Sequence, residues 1–427
     1  MSNEQYKNQK KFLKHSKKSI DRAAKSIRNG ASNEERDDAV LKIQNFREAH
    51  LYPLMLLKNH LVRHARKVSN SIIVARRLKR LPTIIDKLER PTLDGASDNK
   101  IRLTRMQDVA GCRAIVPNLS SLLKLKKSLE KSRSVHTIIS TYDYLEPKLS
   151  GYGGVHLVYR FFDSSKESNQ WQGLKGEIQL RTELQHAWAT SIEIIDTLEE
   201  YQLKVRHTGH NEWRNFFAAA GALVAHEEGA ISLCQADLLG FRLQLSIRAS
   251  ELEVIKKLRE YSFGLEVTDE KKGSTKYDPQ SMLLVLINKH ELNKTQWDTS
   301  RRPKVKVTAY DRTRVDEALE ALRLSEADPD IIISVLLSSG SAKNLRKAYP
   351  NYFGSTRKFT NFVTKQIQIL DELLDRPDWE DELTRMYDNY PNEEEYGFER
   401  VSEMLRRSVF FNRVVQKNCF KQPPYYA

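Results

Sequence analysis

The stretch Gly176-Glu177-Ile178-Gln179-Leu180-Arg181-Thr182, with Gln185-His186-Ala187-Trp188-Ala189 just behind it, decides how this chain reads. The first seven residues alternate. As a strand they put Glu177, Gln179 and Arg181 on one face and Ile178 and Leu180 on the other. The apolar face can pack on a core. The polar face then presents a carboxylate, an amide and a guanidinium in a row, a set suited to Mg²⁺ and phosphate. The segment behind it reads as a helix over 183–199, with His186 and Glu193 a heptad apart on one face.

The pattern repeats outward from this strand. Val109–Val116 and Val155–Phe162 read as further strands. Thr83–Arg90 and Leu119–Lys131 read as helices. Strands and helices thus alternate from about 70 to 200, and the fold class is α/β (α+β), a mixed sheet flanked by helices. Residues 201–263 read as a helical extension. A Gly/Lys/Ser/Thr/Asp-rich linker covers about 264–279. A smaller α/β unit over 279–370 follows, with strands at 281–287, 304–310 and 331–338, a helix at 315–327 and another from about 356. The sequence therefore divides at 1–69, 70–200, 201–263, 279–370 and 371–427.

Of 427 residues, 40% are hydrophobic and 30% charged, which fits a globular rather than a disordered chain. The net charge of +14 favours polyanionic partners, nucleotides or nucleic acid. Cys112, Cys234 and Cys419 are few and scattered, which argues against a disulfide framework or structural zinc and suits a reducing cytosol. The N-terminus lacks the apolar core of a signal peptide. The longest apolar run, Phe216 to Ala225, falls well short of the about 20 residues of a membrane span and reads as a buried helix. The expectation is a cytoplasmic protein without a membrane partner, its oligomeric state open.

Charge is unevenly spread. Residues 1–29 hold nine Lys/Arg against two acids. Lys7, Lys11, Lys14, Lys18, Arg22 and Lys25 recur at steps of three and four, which predicts one basic face of an amphipathic helix. Residues 371–400 hold twelve acids against three Lys/Arg, and 401–427 turn basic again.

Four further segments carry residue types that suit phosphate chemistry. Arg77-Leu78-Lys79-Arg80 precedes a helix that starts near Pro82 and includes Lys87, so positive charge gathers at a helix N-terminus. Asp108-Val109-Ala110-Gly111-Cys112-Arg113 sets an acid at a strand start among small residues. Lys148-Leu149-Ser150-Gly151-Tyr152-Gly153-Gly154-Val155-His156 is a glycine-rich turn bearing an aromatic ring. The helix with His186 and Glu193 is the fourth. Each alone has a plain structural explanation: a turn cap, a loop aromatic, a core histidine.

In this order, however, Arg-x-Lys at 77–79, Asp-Val-Ala-Gly-Cys-Arg at 108–113, Gly-Tyr-x-Gly-x-His at 151–156 and Glu-Ile-Gln-Leu-Arg-Thr at 177–182 resemble the synthetase domain of the RelA/SpoT family. The resemblance covers about 70–200. It implies a nucleotidyltransferase-like fold and transfer of the β,γ-pyrophosphate of ATP to the 3′-hydroxyl of GDP or GTP, giving (p)ppGpp. It also implies roles. Arg77 would stack on adenine, with Lys79 and Lys87 on the ATP phosphates. Asp108 and Glu177 would hold Mg²⁺ and carry catalysis. Tyr152 would stack on the acceptor base, Lys148 and His156 would contact acceptor phosphates, and Gln179, Arg181 and Arg113 would support them. Gly153 and Ser150 depart from the family's usual residues. The chain contains no His-Asp dipeptide, so the hydrolase activity of longer relatives is not expected. The resemblance leaves an alternative: relatives with the same core pyrophosphorylate the 3′ end of tRNA, and the C-terminal unit would then restrain a toxin. The aromatic turn Ala348-Tyr349-Pro350-Asn351-Tyr352-Phe353 reads as a packing corner or a regulatory contact.

Overall fold

A computed structural model describes residues 7–89, 102–163, 170–198, 211–260, 282–290, 305–311, 313–339, 356–378 and 381. The linker at 264–279, the aromatic turn at 348–353, Cys419 and nearly all of the acidic and basic C-terminal runs lie outside these residues.

Helices α1 (Lys17–Arg28), α2 (Asn33–Ala49) and α3 (Leu51–Val68) lead to strand β1 (Ile73–Leu78) and helix α4 (Leu81–Glu89). Then come β2 (Ala110–Val116), α5 (Leu119–Glu130), β3 (Thr137–Tyr144), β4 (Gly154–Arg160), β5 (Lys175–Thr182) and α6 (Glu183–Leu198). A helical stretch of α7 (Asn211–Glu227), α8 (Gln235–Glu251) and α9 (Val254–Glu260) follows. Then follow β6 (Met282–Asn288), β7 (Val305–Tyr310), α10 (Val315–Ala327), β8 (Ile331–Ser339) and α11 (Arg357–Leu374).

The described strands form one sheet in the order β3-β4-β5-β2-β1-β8-β6-β7. Only β2 and β5 run parallel; every other pairing is antiparallel. The sheet is mixed and flanked by helices, as the sequence predicts. One expectation changes. The strands over 282–339 do not form a sheet of their own: β8 pairs directly with β1 through Ala75–Ser339, Arg76–Ser338 and Arg77–Leu337. The physical reason is that β1 pairs with β2 on one edge only, and its other row of backbone groups needs partners. Two strands, β1 and β3, escaped the sequence reading. In β1 the apolar run at Ile73-Val74-Ala75 is cut short by Arg76-Arg77, and β3 is dominated by Thr, Ser, Tyr and Asp, so neither offers a clean apolar alternation.

The back face of the sheet packs on α1, α2, α3, α4, α5 and α10. Cys112, Ala114, Leu157, Tyr159, Ile178 and Leu180 meet Ile43, Leu54, Leu61, Leu122 and Leu319 in one cluster. Burial pushes the Cys112 thiol up to about 12, so it packs as a small apolar residue. Local caps start the helices. Ser16 accepts from the Ser19 N–H at 3.2 Å and Asn118 from the Ser121 N–H at 2.9 Å. Thr182 and Gln185 exchange hydrogen bonds at 3.1 and 3.2 Å, a capping box at the start of α6.

The basic N-terminal stripe is shorter than the sequence predicts. The Ser16 cap begins α1 at Lys17, so Lys7, Lys11 and Lys14 precede the helix and share no helical face with Arg22 and Lys25. Tertiary contacts win over periodicity there. The Lys11 carbonyl accepts from the Trp171 indole at 2.9 Å, and the Lys11 ammonium pairs with Asp316. The apolar run at 216–225 lies inside α7 and is buried. Among the described residues no helix is long and apolar enough to cross a membrane.

Arg47 and Glu326 form a buried ion pair between α2 and α10, with side chains 0% and 3% exposed and contacts of 2.8 and 3.0 Å. Glu326 also accepts from the Leu81 N–H at 3.0 Å, the first turn of α4. Replacing Glu326 with Gln leaves a buried guanidinium without its counter-charge. The expected cost is ~3–5 kcal/mol in urea denaturation, and an R47M/E326L double variant should recover most of it.

Three histidines are buried in neutral form. Burial pulls His50, His60 and His136 down to about 4, with His64 and Arg63 adding to the effect at His60. The unfolded chain binds these protons near the usual 6.5, so stability is full above that pH and falls as pH drops from about 6.5 to 4. Urea titrations at half-unit steps should show this loss. A His136→Asn variant should show a shallower slope by about one proton across that window.

Candidate active site

Register across the sheet builds the site. Arg77 on β1 lies opposite Gly111 on β2, which lies opposite Glu177 on β5. One step along, Ala75, Arg113, Gln179, His156 and Tyr142 are cross-strand partners in turn. Partners in register, and residues two apart, share a face. Arg77, Arg113, Glu177, Gln179, Arg181 and His156 therefore stand together on the face away from the main core. Gly111 has no side chain, and a Cβ there would stand 4.0 Å from the Glu177 Cγ, so space opens in the middle of the row.

That space is a small cleft open to solvent, lined by Arg77, Lys79, Asp108, Arg113, Glu177 and Gln179 among others. Asp108 sits just before β2, where the Lys79 N–H donates to the Val109 carbonyl at 2.9 Å. Lys79 bonds Asp108 at 2.9 Å and Lys87, from α4, bonds it at 3.1 Å. Burial alone would push the Asp108 carboxyl up, but the two ammonium groups outweigh it and hold it at about 2. Burial pushes Lys79 below its ordinary value, an effect that Asp108 opposes. Asp108 is thus an anion at every physiological pH.

Glu177 is the second carboxylate of the cleft. Its Oε1 accepts from the Gln179 amide at 2.5 Å, and its Oε2 lies 3.4 Å from His156 Nδ1. His156 leads to the second half of the site. Its Nε2 bonds the Tyr152 hydroxyl at 2.5 Å, and Arg181 Nη2 donates to the same hydroxyl at 2.7 Å. The Tyr152 ring stands edge to face with Trp188 at 6.1 Å. A chain of contacts therefore runs from Glu177 through His156 to Tyr152.

The structure brings together Arg77, Lys79, Lys87, Asp108, Arg113, Glu177 and Gln179, and joins Tyr152, His156 and Arg181 to them. Lys148 stands apart from the cleft: it is exposed, with its ammonium 4.0 Å above the Tyr144 ring. His186 is buried within α6 and does not line the cleft. Sequence reading missed Tyr144, which stands edge to face with both Tyr152 and His156 at 5.8 Å, and Tyr142, 6.3 Å from Tyr144 with rings nearly parallel. The alternation Ser140-Thr141-Tyr142-Asp143-Tyr144 carried that signal. It also missed Glu228, whose carboxyl hydrogen-bonds Thr182 and Gln185 and which burial pushes up to about 7.

Two carboxylates and four cations around one cleft, beside an aromatic ring, are groups whose charge and shape suit a polyphosphate with a base attached. Asp108 and Glu177 are the two hard oxygen donors able to hold a divalent cation. No cluster of three or more His, Cys, Asp or Glu with metal-binding geometry occurs among the described residues. Residues 76–195 match the family described as the region found in RelA / SpoT proteins. The chain contains a RelA/SpoT region. It runs from β1 into α6 and includes every residue that lines the cleft. The chain is also similar to the small alarmone synthetase 1 from Bacillus subtilis bound to its product pppGpp. Identity is 22%, over 42% of this chain and 88% of that one, with a TM-score of 0.34. A GTP pyrophosphokinase family protein from Streptococcus pneumoniae shows 23% identity over 43% and 86%, with a TM-score of 0.33. The small alarmone synthetase 2 from Bacillus subtilis shows 19% over 50% and 97%, with a TM-score of 0.34. No curated protein matches the chain. Strands β6–β8 and helices α7–α11 lie beyond the RelA/SpoT region.

Replacing Tyr152 with Phe keeps the ring and removes the hydroxyl shared by His156 and Arg181. The expected loss is ~1–2 kcal/mol in chemical denaturation, because two partly buried groups lose their partner.

Proposed function

We propose that this chain transfers the β,γ-pyrophosphate of ATP to the 3′-hydroxyl of GDP or GTP. The observation that supports it best is the meeting of Asp108 and Glu177 with Arg77, Lys79 and Arg113 in one cleft inside the RelA/SpoT region. In this reaction the acceptor oxygen attacks the β-phosphorus of ATP, the bond between the α-phosphate's bridging oxygen and that phosphorus breaks, and AMP leaves. Positioning and charge, rather than a protein nucleophile, do most of the work in such transfers.

Each group then has a task. Arg77 lies flat against the adenine, as a planar guanidinium can. Lys79 and Lys87, held at Asp108 in the free protein, turn to the phosphates as ATP enters. Glu177 takes the proton of the attacking hydroxyl, and the neighbouring Gln179 and His156 fix the orientation of its carboxylate. Tyr152 stacks on the acceptor base, fixed by Arg181. Asp108 and Glu177 would hold Mg²⁺, which neutralises charge on the phosphates when bound. The chain has no His-Asp dipeptide, and we propose synthesis without alarmone hydrolysis in the cytoplasm.

A second reading rests on the rings. Tyr152, Tyr144 and Tyr142 form a series at 5.8 and 6.3 Å that ends at the exposed edge strand β3. One ring serves a mononucleotide; three in series suit successive bases of a single strand. With the net charge of +14 this favours a tRNA 3′ end as the acceptor.

The test is γ-labelled ATP and Mg²⁺ with GDP, GTP or deacylated tRNA in separate reactions. Label in a guanine nucleotide is expected, label in tRNA alone supports the second reading, and label in neither overturns both. A Glu177→Gln variant should fold normally by circular dichroism and lose at least about a hundredfold in turnover.

A further inference from the structure

The wall behind the Tyr152 loop is made of backbone. Gly151 has φ +82°, a conformation that side chains disfavour, and a Cβ there would stand 2.3 Å from the Phe217 carbonyl oxygen on α7. Gly221, one turn further along α7, faces it: a Cβ at 221 would stand 2.1 Å from the Gly151 oxygen and 2.4 Å from its Cα. A glycine inside a 17-residue helix costs about 1 kcal/mol relative to alanine. Helix propensity gives no reason for it, and the contact with Gly151 does.

The contact is reinforced. The Trp188 indole donates to the Phe217 carbonyl at 2.8 Å while its ring meets Tyr152. Within the loop, the Gly151 N–H donates to the Lys148 carbonyl at 2.7 Å and the Lys148 N–H to the Tyr152 carbonyl at 3.1 Å. The loop is thus tied together by its own backbone hydrogen bonds, and α7 is what it rests on. Helix α7 is itself fixed from the far side, where Phe217 stacks on Phe359 of α11 at 5.8 Å and 12°.

We propose that Gly221 is a positioning residue for the acceptor. Its backbone contact with Gly151 sets the height of the Tyr152 ring above the sheet, and so sets acceptor affinity. The inference rests on the reading of Tyr152 as the acceptor-stacking residue. A side chain at 221 displaces the loop, whereas Arg77 belongs to β1, Lys87 to α4, and Lys79 and Asp108 to the segments just after β1 and just before β2. The acceptor half of the site should therefore respond alone.

The experiment uses the full-length chain and varies ATP and acceptor independently, with whichever acceptor the wild type labels. Gly221→Ala should raise the acceptor KM at least about tenfold, equivalent to ~1.4 kcal/mol, with the ATP KM within about twofold. Trp188→Phe keeps a ring and removes the donor to Phe217; it should move the acceptor KM the same way by less. If Gly221→Ala does not fold, Trp188→Phe carries the test by the same split. A folded variant with both KM values unchanged, or with both raised together, overturns the proposal while the functional reading stands. A wild type that labels no acceptor overturns both.

Discussion

The parallel pairing of β2 with β5 is the constraint on which the site depends. It is the one parallel contact in the described sheet, and it fixes Gly111 opposite Glu177 and Arg113 opposite Gln179. A slip of one residue would turn Glu177, Gln179 and Arg181 into the main core and bring Ile178 and Leu180 out. The apolar residues Cys112, Ala114, Ile178 and Leu180 forbid that slip, because they are buried together on the other face. Core packing and cleft geometry are thus one requirement. The residues that hold the register are not the residues that meet the ligand, but each set alternates with the other along the same two strands.

Charge in the cleft follows a similar economy. Four cations, Arg77, Lys79, Lys87 and Arg113, face two carboxylates, so the cleft carries an excess of positive charge. Lys79 and Lys87 are held in place by Asp108 rather than left to rotate freely. Under the proposed function, an arriving phosphate competes with Asp108 for ammonium groups that are already gathered in the cleft. The aromatic half is ordered differently. Tyr152 belongs to the second apolar cluster, with Trp188, Phe217 and Phe359, so its position is set by helices from the later part of the chain.

Much of this was legible in the sequence. The alternation at 176–182, the small residues after Asp108 and the glycine turn before His156 each imposed a local geometry that tertiary contacts did not override. The cross-strand neighbours of Glu177 were not legible, because register depends on which strands pair, and pairing is non-local. The same applies to β8. Nothing in Ile331–Ser339 says that it lies against β1 across some 250 residues of chain. The N-terminal lysine spacing misled for the opposite reason: periodicity was present, but the Ser16 cap and the contacts of Lys11 with Trp171 and Asp316 ended the helix before the stripe could form. Gly221 could not be found from sequence at all, since a helical glycine declares its purpose only when its neighbour is known.

The pairing of β8 with β1 has a consequence for the history of such a chain. Strand β1 carries Arg77, and in this molecule it has neighbours on both edges. Strands β6, β7 and β8 come from residues beyond the RelA/SpoT region, yet they complete the same sheet. Had they been appended to a finished core as a separate bead, loss of the C-terminal part would leave that core whole. Here it would bare the backbone of the very strand that bears a cleft residue, and a bared edge seeks another strand, including one from a second copy. The later part of this chain is therefore less a passenger than one side of the protein's own sheet.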